Sequence, residues 1–496
     1  MSKRKTKILL FLILGIAIFF RFWNISDSPP GLYPDEAVNG NDALKTLKNK
    51  FQLFYEHNNG REGLFIWLIS LSFQLFKPSI TTLRLPSIII GILTTLGLYL
   101  FTKELFFKNK NKEKIALLAS FLLSVSFWHV NFSRIAFRGI LVPFLLTFSF
   151  YFLLKAFREN KVGKSILAGI FYGLGFYSYS PFYLSIIILF SILFFYWKNK
   201  KNLKRFLKIS IANLLTIFLT ALPMGILLLT KPEKILNRGA QVSVFKTQSP
   251  IMELFKSLFL HLGMFNIFGD QNWRHNIATK PQLSWIVGLF FLIGFFFLIK
   301  NLKKNKTKEK IIIIWFFAML LPGILTSQGC PHALRTIGIV PAVYIISALG
   351  FLTTYQKCIK KYNKKIIKKI FLSILVLIVL LQFNNYFINW SNQEETRSAF
   401  KNYYVQLGRY LNSLPPSTNK IVISSPVTSE TTMFLENIEN KKSLYLFPEN
   451  INQIPEKENT VIVPIDKENN QLFQKLKEKF PKGKIIHQNN ITIFKI

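Results

Sequence analysis

The sequence predicts a polytopic α-helical membrane protein with a small extracytoplasmic α/β domain at its C-terminus, and three features carry that prediction. Of 496 residues, 50% are hydrophobic and 15% aromatic, including 51 phenylalanines, and mean hydropathy is +0.30. Apolar runs of about 20 residues recur along the chain, the length that crosses ~30 Å of hydrocarbon. The third feature is the placement of charge. A formal net charge of +39 would suit a nucleic-acid-binding protein if it formed a stripe. Instead the lysines gather in short connectors between apolar runs, at 3–7, 103–114, 155–164, 198–208, 300–310 and 357–369. Alternate connectors lack the excess: residues 24–82 hold five basic and six acidic side chains. Nucleic acid is therefore not the expected partner. By the positive-inside rule the lysine connectors are cytoplasmic.

Taken in order, the predicted spans are 8–23, 84–106, 115–131, 140–157, 165–177, 183–197, 209–229, 283–300, 311–327, 334–353 and 370–388. These make about eleven transmembrane helices, with the N-terminus inside and the C-terminus outside a cell membrane. The first span has a basic start and no small-residue cleavage site after it, which predicts an uncleaved anchor. The apolar segment 63–76 reaches only about 21 Å at 1.5 Å per residue, too short to cross. It predicts a helix lying in the interface. Outer loops at 24–83 and 230–282 complete a membrane domain over 1–389.

From residue 390 to 496 acids and bases nearly balance. An amphipathic stretch at 396–411 leads in, followed by strand-like runs at 420–424, 460–464, 484–487 and 491–495, with polar helical stretches at 429–438 and 467–480. This predicts a small α/β domain. It has no glycine-rich phosphate loop and no nucleophile elbow, so it is expected to cap the membrane domain or guide an acceptor. Cys330 and Cys358, the only two cysteines, fall on opposite sides and predict no disulfide. No CxxC or HxxxH spacing announces a metal. No cofactor is expected; a divalent cation is compatible with the sequence but not indicated by it.

Pro34-Asp35-Glu36 stands about ten residues beyond the first span. A carboxylate pair so close to hydrocarbon is costly, which makes it a candidate for function; the plain alternative is a helix N-cap, for which Asp is well suited. The other outer ends collect Asn59, Arg61, Glu62, Arg84, Arg134, Arg138, Asp270, Arg274, His275, His332 and Arg335. Arginine suits phosphate because its planar fork bonds two oxygens at once. Head-group snorkelling is the alternative. It is weakened because this lysine-rich chain places these arginines outside, against the positive-inside trend.

Several of these residues lie in ordered motifs: Leu32-Tyr33-Pro34-Asp35-Glu36-Ala37, Asn58-Asn59-Gly60-Arg61-Glu62, Arg84-Leu85-Pro86-Ser87, Trp128-His129-Val130-Asn131-Phe132-Ser133-Arg134, Gly175-Phe176-Tyr177-Ser178-Tyr179, the segment 270–276, and Pro331-His332-Ala333-Leu334-Arg335. Together they resemble membrane glycosyltransferases of the GT-C superfamily, in particular the bacterial form of glycosyltransferase family 39, the dolichyl-phosphate-mannose protein mannosyltransferase-like group. Aminoarabinose transferases look related; they carry a Lys-Pro-Pro-Leu run where this chain has Arg61-Glu62-Gly63-Leu64. The resemblance covers roughly 1–390. It implies the GT-C fold, a first outer loop with two helices along the membrane, and sugar transfer from a polyprenyl-phosphate donor to a protein, lipid or glycan acceptor on the outer face, with inversion. Asp35 would then be the base that takes the acceptor proton, and Glu36 its orienting neighbour. Arg61, Arg84, Arg134 and Arg138 would stabilise the leaving phosphate. Two other classes fit a polytopic chain, a transporter or flippase and a non-catalytic envelope assembly protein. The internal repeats and midplane charges that mark transporters do not appear in the sequence.

Overall fold

The computed structural model describes residues 2–200, 202–302, 307–465, 470–488 and 491–496. Its helices begin with α1 (Lys3–Phe22), α2 (Pro34–Leu47), α3 (Leu64–Leu75), α4 (Ile80–Leu105), α5 (Lys112–Val125), α6 (Phe127–Phe132) and α7 (Leu141–Glu159). They continue with α8 (Val162–Leu174), α9 (Ile186–Lys198), α10 (Leu203–Thr230), α11 (Pro232–Gln241), α12 (Pro250–Gly263), α13 (Trp285–Leu302) and α14 (Thr307–Ile324). The last are α15 (Val340–Lys361), α16 (Lys364–Phe383), α17 (Glu394–Ala399), α18 (Asn402–Ser413), α19 (Glu430–Ile438) and α20 (Asn470–Lys479). Two compact units result. One comprises Met1–Ile25, Leu53–Phe65 and Arg84–Trp390, the other Ser26–Gln52, Ile66–Leu83 and Ser391–Ile496.

Seven helices among the described residues are long and apolar enough to cross a membrane: Ile80–Leu105, Arg138–Glu159, Ser180–Lys198, Leu203–Thr230, Trp285–Leu302, Ile337–Lys361 and Lys364–Trp390. The other four predicted spans fall on α1, α5 with α6, α8 and α14. Each has a reason to fall short of that measure. Helix α1 opens on Lys3, Arg4, Lys5 and Lys7, α14 carries Lys308, Glu309 and Lys310, and α8 is 13 residues. Helix α5 stops at Ser126, whose extended backbone ends one helix while its hydroxyl accepts from His129 N to start α6. That break turns the buried run Phe127–Phe132 away from the α5 axis. Of the predicted 300–310 connector, residues 303–306 lie outside the described ones. Helices α13 and α15 pack at backbone contact: a Cβ on Gly294 would lie 2.0 Å from Ile346 O, and one on Gly350 1.9 Å from Phe290 O. Such glycine seams hold membrane helices together where the hydrophobic effect does not.

The second unit centres on a sheet ordered β4-β3-β5-β7-β6, formed by β3 (Asn419–Ile423), β4 (Leu444–Leu446), β5 (Thr460–Pro464), β6 (Lys484–Gln488) and β7 (Ile491–Lys495); the remaining strands, β1 (Phe54–Tyr55) and β2 (Arg61–Glu62), form a hairpin in the first unit. Strands β4, β3 and β5 are parallel, while β7 runs antiparallel to β5 and β6. Strand alternation sorts the apolar side chains onto two faces. Ile421, Ile423, Ile462 and Phe494 meet Leu472, Phe473 and Leu476 of α20; Val422, Val461, Val463 and Ile493 meet Leu407 and Leu411 of α18. The predicted runs at 420–424, 460–464, 484–487 and 491–495 become β3, β5, β6 and β7, and the helical stretches become α19 and α20. Residues 467–469 of the second helical stretch lie outside the described ones. Strand β4 was not predicted: three residues at a sheet edge are too few to display alternation.

The apolar segment 63–76, expected to lie in the interface, forms α3, a helix of 12 residues, or about 18 Å. Within the second unit its Trp67 indole donates to Gln52 O and stacks on Phe51.

Candidate active site

One end of the first unit gathers most of the predicted residues. It is assembled by the motif that runs from Trp128 to Arg134. Trp128 Nε1 donates to Ala333 O at 3.1 Å, Asn131 Nδ2 to Arg274 O at 2.7 Å, and Ser133 Oγ to His129 O at 2.5 Å. Arg134 is fully buried and donates through Nη1 to Phe20 O at 2.9 Å and through Nη2 to Trp23 O at 2.6 Å. It also faces the Phe387 and Tyr386 rings. Those carbonyls close α1, where the last turn has no intrahelical donors. Burial lowers the Arg134 pKa to about 10, which still leaves it a cation at neutral pH. The bonds described for Arg134 therefore fasten α1 to the loop after α6.

Arg138, by contrast, is partly exposed. Its Nε donates to Glu62 Oε2 at 2.7 Å and its Nη2 to Gly60 O at 3.3 Å, and its guanidinium lies 5.1 Å from the Tyr179 ring centroid. Glu62 is presented by the β1–β2 hairpin, in which Phe54 pairs with Glu62 and Tyr55 with Arg61. The hairpin turns through Asn58, Asn59 and Gly60, all at positive φ. Asn and Gly are the residues that tolerate that region. Asn59 is exposed beside a cleft of about 600 Å³ formed with Glu56 and Lys234. Arg61 is buried, with Nε donating to His57 O at 3.3 Å, and Arg84 is fully buried in α4.

A second cluster joins the loop after α12 to the loop after α14. Asp270 Oδ1 accepts from Asn272 N at 2.8 Å; Oδ2 accepts from Ala333 N at 2.7 Å and pairs with His275 Nδ1 at 2.9 Å. The His275 and His332 rings lie 4.9 Å apart. Arg335 donates to Thr326 Oγ1 and Gln328 O, and its backbone N–H to His332 Nδ1. Asp270, His275 and His332 each offer a ligand atom within 4.8 Å of the others, a donor set that suits a zinc-like ion. Asp270 accepts at both oxygens, and a neutral His332 that accepts at Nδ1 carries its proton on Nε2. The bonds at Asp270 staple the two loops together.

Three residues to which the sequence reading gave no role of their own belong to this end. Arg21 is fully buried, donating to Ala17 O, Ser124 O and His129 Nδ1. An arginine at the end of the first span was the available signal. Buried His261 accepts from His332 N at 3.1 Å and pairs through Nδ1 with Ser257 O at 2.8 Å. Burial pushes its pKa down to about 4 and holds His332 well below the usual histidine range. Tyr179 is the third, as the aromatic face under Arg138.

Asp35 and Glu36 belong to the second unit. They occupy the first turn of α2, behind Tyr33 as N-cap and Pro34, whose fixed φ suits a helix start. Asp35 is therefore not the cap residue. Both carboxylates sit where the helix dipole favours negative charge. Glu36 is fully buried and Asp35 partly exposed.

Comparison with known proteins gives this arrangement a context. The family model for dolichyl-phosphate-mannose-protein mannosyltransferase matches residues 64–224, less than half of the chain. No curated protein matches the chain in sequence. Among solved structures, ArnT from Cupriavidus metallidurans bound to undecaprenyl phosphate is similar with a TM-score of 0.60 at 11% identity, over 99% of this chain and 98% of that one. The Archaeoglobus fulgidus oligosaccharyltransferase in the apo form gives 0.56 at 14% identity, over 96% and 69%. The same organism's AglB, in complex with an inhibitory peptide and a dolichol-phosphate, gives 0.52 at 16%, over 89% and 64%. These likenesses show the fold: this chain has the GT-C fold and is similar in structure to ArnT over nearly its whole length.

Proposed function

We propose that this protein transfers a sugar from a polyprenyl-phosphate donor to an acceptor on the outer face of the cell membrane, with inversion at the anomeric carbon. The observation that carries the reading is the end-to-end likeness to a structure bound to undecaprenyl phosphate, joined to a carboxylate pair opening α2. Such a donor is already activated as a phosphate ester and needs no nucleotide pocket. The acceptor oxygen attacks the anomeric carbon as the sugar–phosphate bond breaks. The acceptor proton passes to Asp35, with Glu36 orienting base or acceptor. The departing polyprenyl phosphate gains one negative charge, which arginine stabilises.

Among the arginines, Arg138 is the strongest phosphate ligand candidate. It is the one whose described partner, Glu62, is a carboxylate that an anion could replace, and its side chain is 23% exposed. Arg61 and Arg84 follow. Arg134 ranks lower than the sequence suggested, because both arms of its fork already hold carbonyls. Asn59, Arg274, His332 and Arg335 are retained as substrate-side residues, with Asp270 and His275 supporting the loops that present them. The lysine connectors support a cytoplasmic N-terminus and an outer C-terminal domain.

The test is incubation of purified protein in lipid with a panel of undecaprenyl-phosphate and dolichyl-phosphate sugars, with the product mapped by mass spectrometry. Release of polyprenyl phosphate with an inverted glycoside is the expected result. Intact donors moved across the bilayer without transfer would support a flippase instead.

A further inference from the structure

Within the second unit, the C-terminal domain holds the helix that carries Asp35. Three points of attachment lie within the second unit. Just before α2, Leu32 O accepts from Thr431 Oγ1 at 3.0 Å. In the middle of α2, the buried Asn41 uses both ends of its amide. Its Nδ2 donates to Glu430 Oε2 at 2.7 Å and to Glu430 O at 3.1 Å, and its Oδ1 accepts from Asn437 Nδ2 at 3.0 Å. One residue earlier, Gly40 lies under the Phe434 ring so closely that a Cβ there would stand 2.6 Å from it. Phe434 is itself fully buried and stacks on Phe73 of α3.

Helix α19, which supplies all of these partners, is in turn fixed to the sheet. Buried Glu436 accepts from Tyr445 OH at 2.7 Å and Ser443 Oγ at 2.5 Å, and Asn412 of α18 donates to Leu435 O at 2.9 Å. At ~100° per residue, Gly40 and Asn41 project about 140° and 240° around α2 from Asp35. The clamp therefore grips the back of α2 and leaves the Asp35 side clear of α19.

We infer that Phe434, Asn437 and Glu430 are positioning residues: through Gly40 and Asn41 they set the place and tilt of α2, and so of the Asp35 carboxylate. The inference rests on the assignment of Asp35 as base given above. The experiment uses the full chain in lipid nanodiscs. Gly40→Ala forces α2 away from Phe434, and Phe434→Leu placed in that background reopens the space. Hydrogen exchange of the α2 amides is read alongside kcat and KM for the panel donor that the wild-type protein consumes.

Gly40→Ala is expected to speed α2 exchange and to lower kcat about 10- to 100-fold, the effect of a misplaced catalytic group, with donor KM nearly unchanged. The Gly40→Ala, Phe434→Leu pair should recover most of both. Should Gly40→Ala fail to fold, Asn437→Ala replaces it, with the same split expected. Unchanged α2 exchange and kcat in a folded clamp variant, or no recovery in the pair, overturns the inference. Asp35→Asn separates the two claims. If it transfers sugar normally the base assignment fails, while faster α2 exchange in Gly40→Ala would still establish the clamp.

Discussion

Replacing Arg134 with alanine would separate a structural arginine from a substrate-binding one. The side chain is fully buried, and its two Nη groups reach carbonyls at 2.9 and 2.6 Å at the end of α1. Hydrogen bonds to a charged group contribute roughly 1.5–3 kcal/mol each, so removing both costs about 3–6 kcal/mol and leaves the buried Phe20 O and the partly buried Trp23 O without this donor. Lysine preserves the charge but lacks the fork, so Arg134→Lys should recover only part of the loss. Thermal unfolding in detergent, followed by intrinsic fluorescence, gives the comparison with wild type. An apparent melting temperature several degrees lower for Arg134→Ala, and intermediate for Arg134→Lys, is expected. A wild-type melting curve together with lost donor binding would refute the fastening role and return Arg134 to the phosphate.

Arg138→Ala should weaken donor binding by about 10- to 150-fold, the equivalent of one charge-assisted bond of ~1.5–3 kcal/mol, and should also lower the melting temperature, because it strands the Glu62 carboxylate, whose side chain is 4% exposed; unchanged affinity in a calorimetric titration would move the phosphate to Arg61 or Arg84. Acid should destabilise the end that holds His261, whose pKa falls from 6.5 to about 4 on burial. Between those values the unfolded chain binds more protons than the folded one, so this contribution is intact above pH 6.5 and declines as pH falls toward 4, by about 2 kcal/mol at pH 5. His261→Gln should flatten melting temperature against pH over that range, and a profile parallel to wild type would contradict it. Cysteine labelling from each side of the membrane should find Lys108 and Lys200 inside and Asn272 and Asn440 outside; a cytoplasmic Asn440 would overturn the topology.

The membrane helices were legible because length, apolarity and the lysine alternation are properties of local sequence. The strands of the C-terminal domain were legible for a similar reason, since Lys420, Val422 and Val461, Val463 alternate with a second apolar set. What local pattern could not reveal was partnership. Nothing near Arg134 in sequence identifies the α1 carbonyls it binds, and nothing near Asn41 points to Glu430 and Asn437, almost 400 positions away. The motif from Trp128 to Arg134 carries part of the family resemblance and offers Arg134 as a phosphate candidate; its described bonds fasten loops to one another. Asp35 was weighed as an N-cap, yet Pro34 shifts the helix start so that Tyr33 takes that position. Arginine count and placement point to one end of the bundle; three-dimensional contacts separate Arg138, which bonds Glu62, from Arg61 and Arg134, whose described bonds go to backbone carbonyls.

The most direct test is Asp35→Asn in purified protein reconstituted in lipid, assayed for sugar transfer with the active donor of the panel. Asparagine preserves the size of the side chain and removes the basic oxygen. At the second position of α2 the favourable first-turn charge it gives up is worth about 0.3–1 kcal/mol, and the melting curve is expected to stay close to wild type. Transfer reduced at least ~100-fold, the lower range for loss of a general base, with donor binding retained, is the predicted result. A folded Asp35→Asn protein that transfers sugar at a near-wild-type rate would contradict it and pass the role to Glu36 or Glu62.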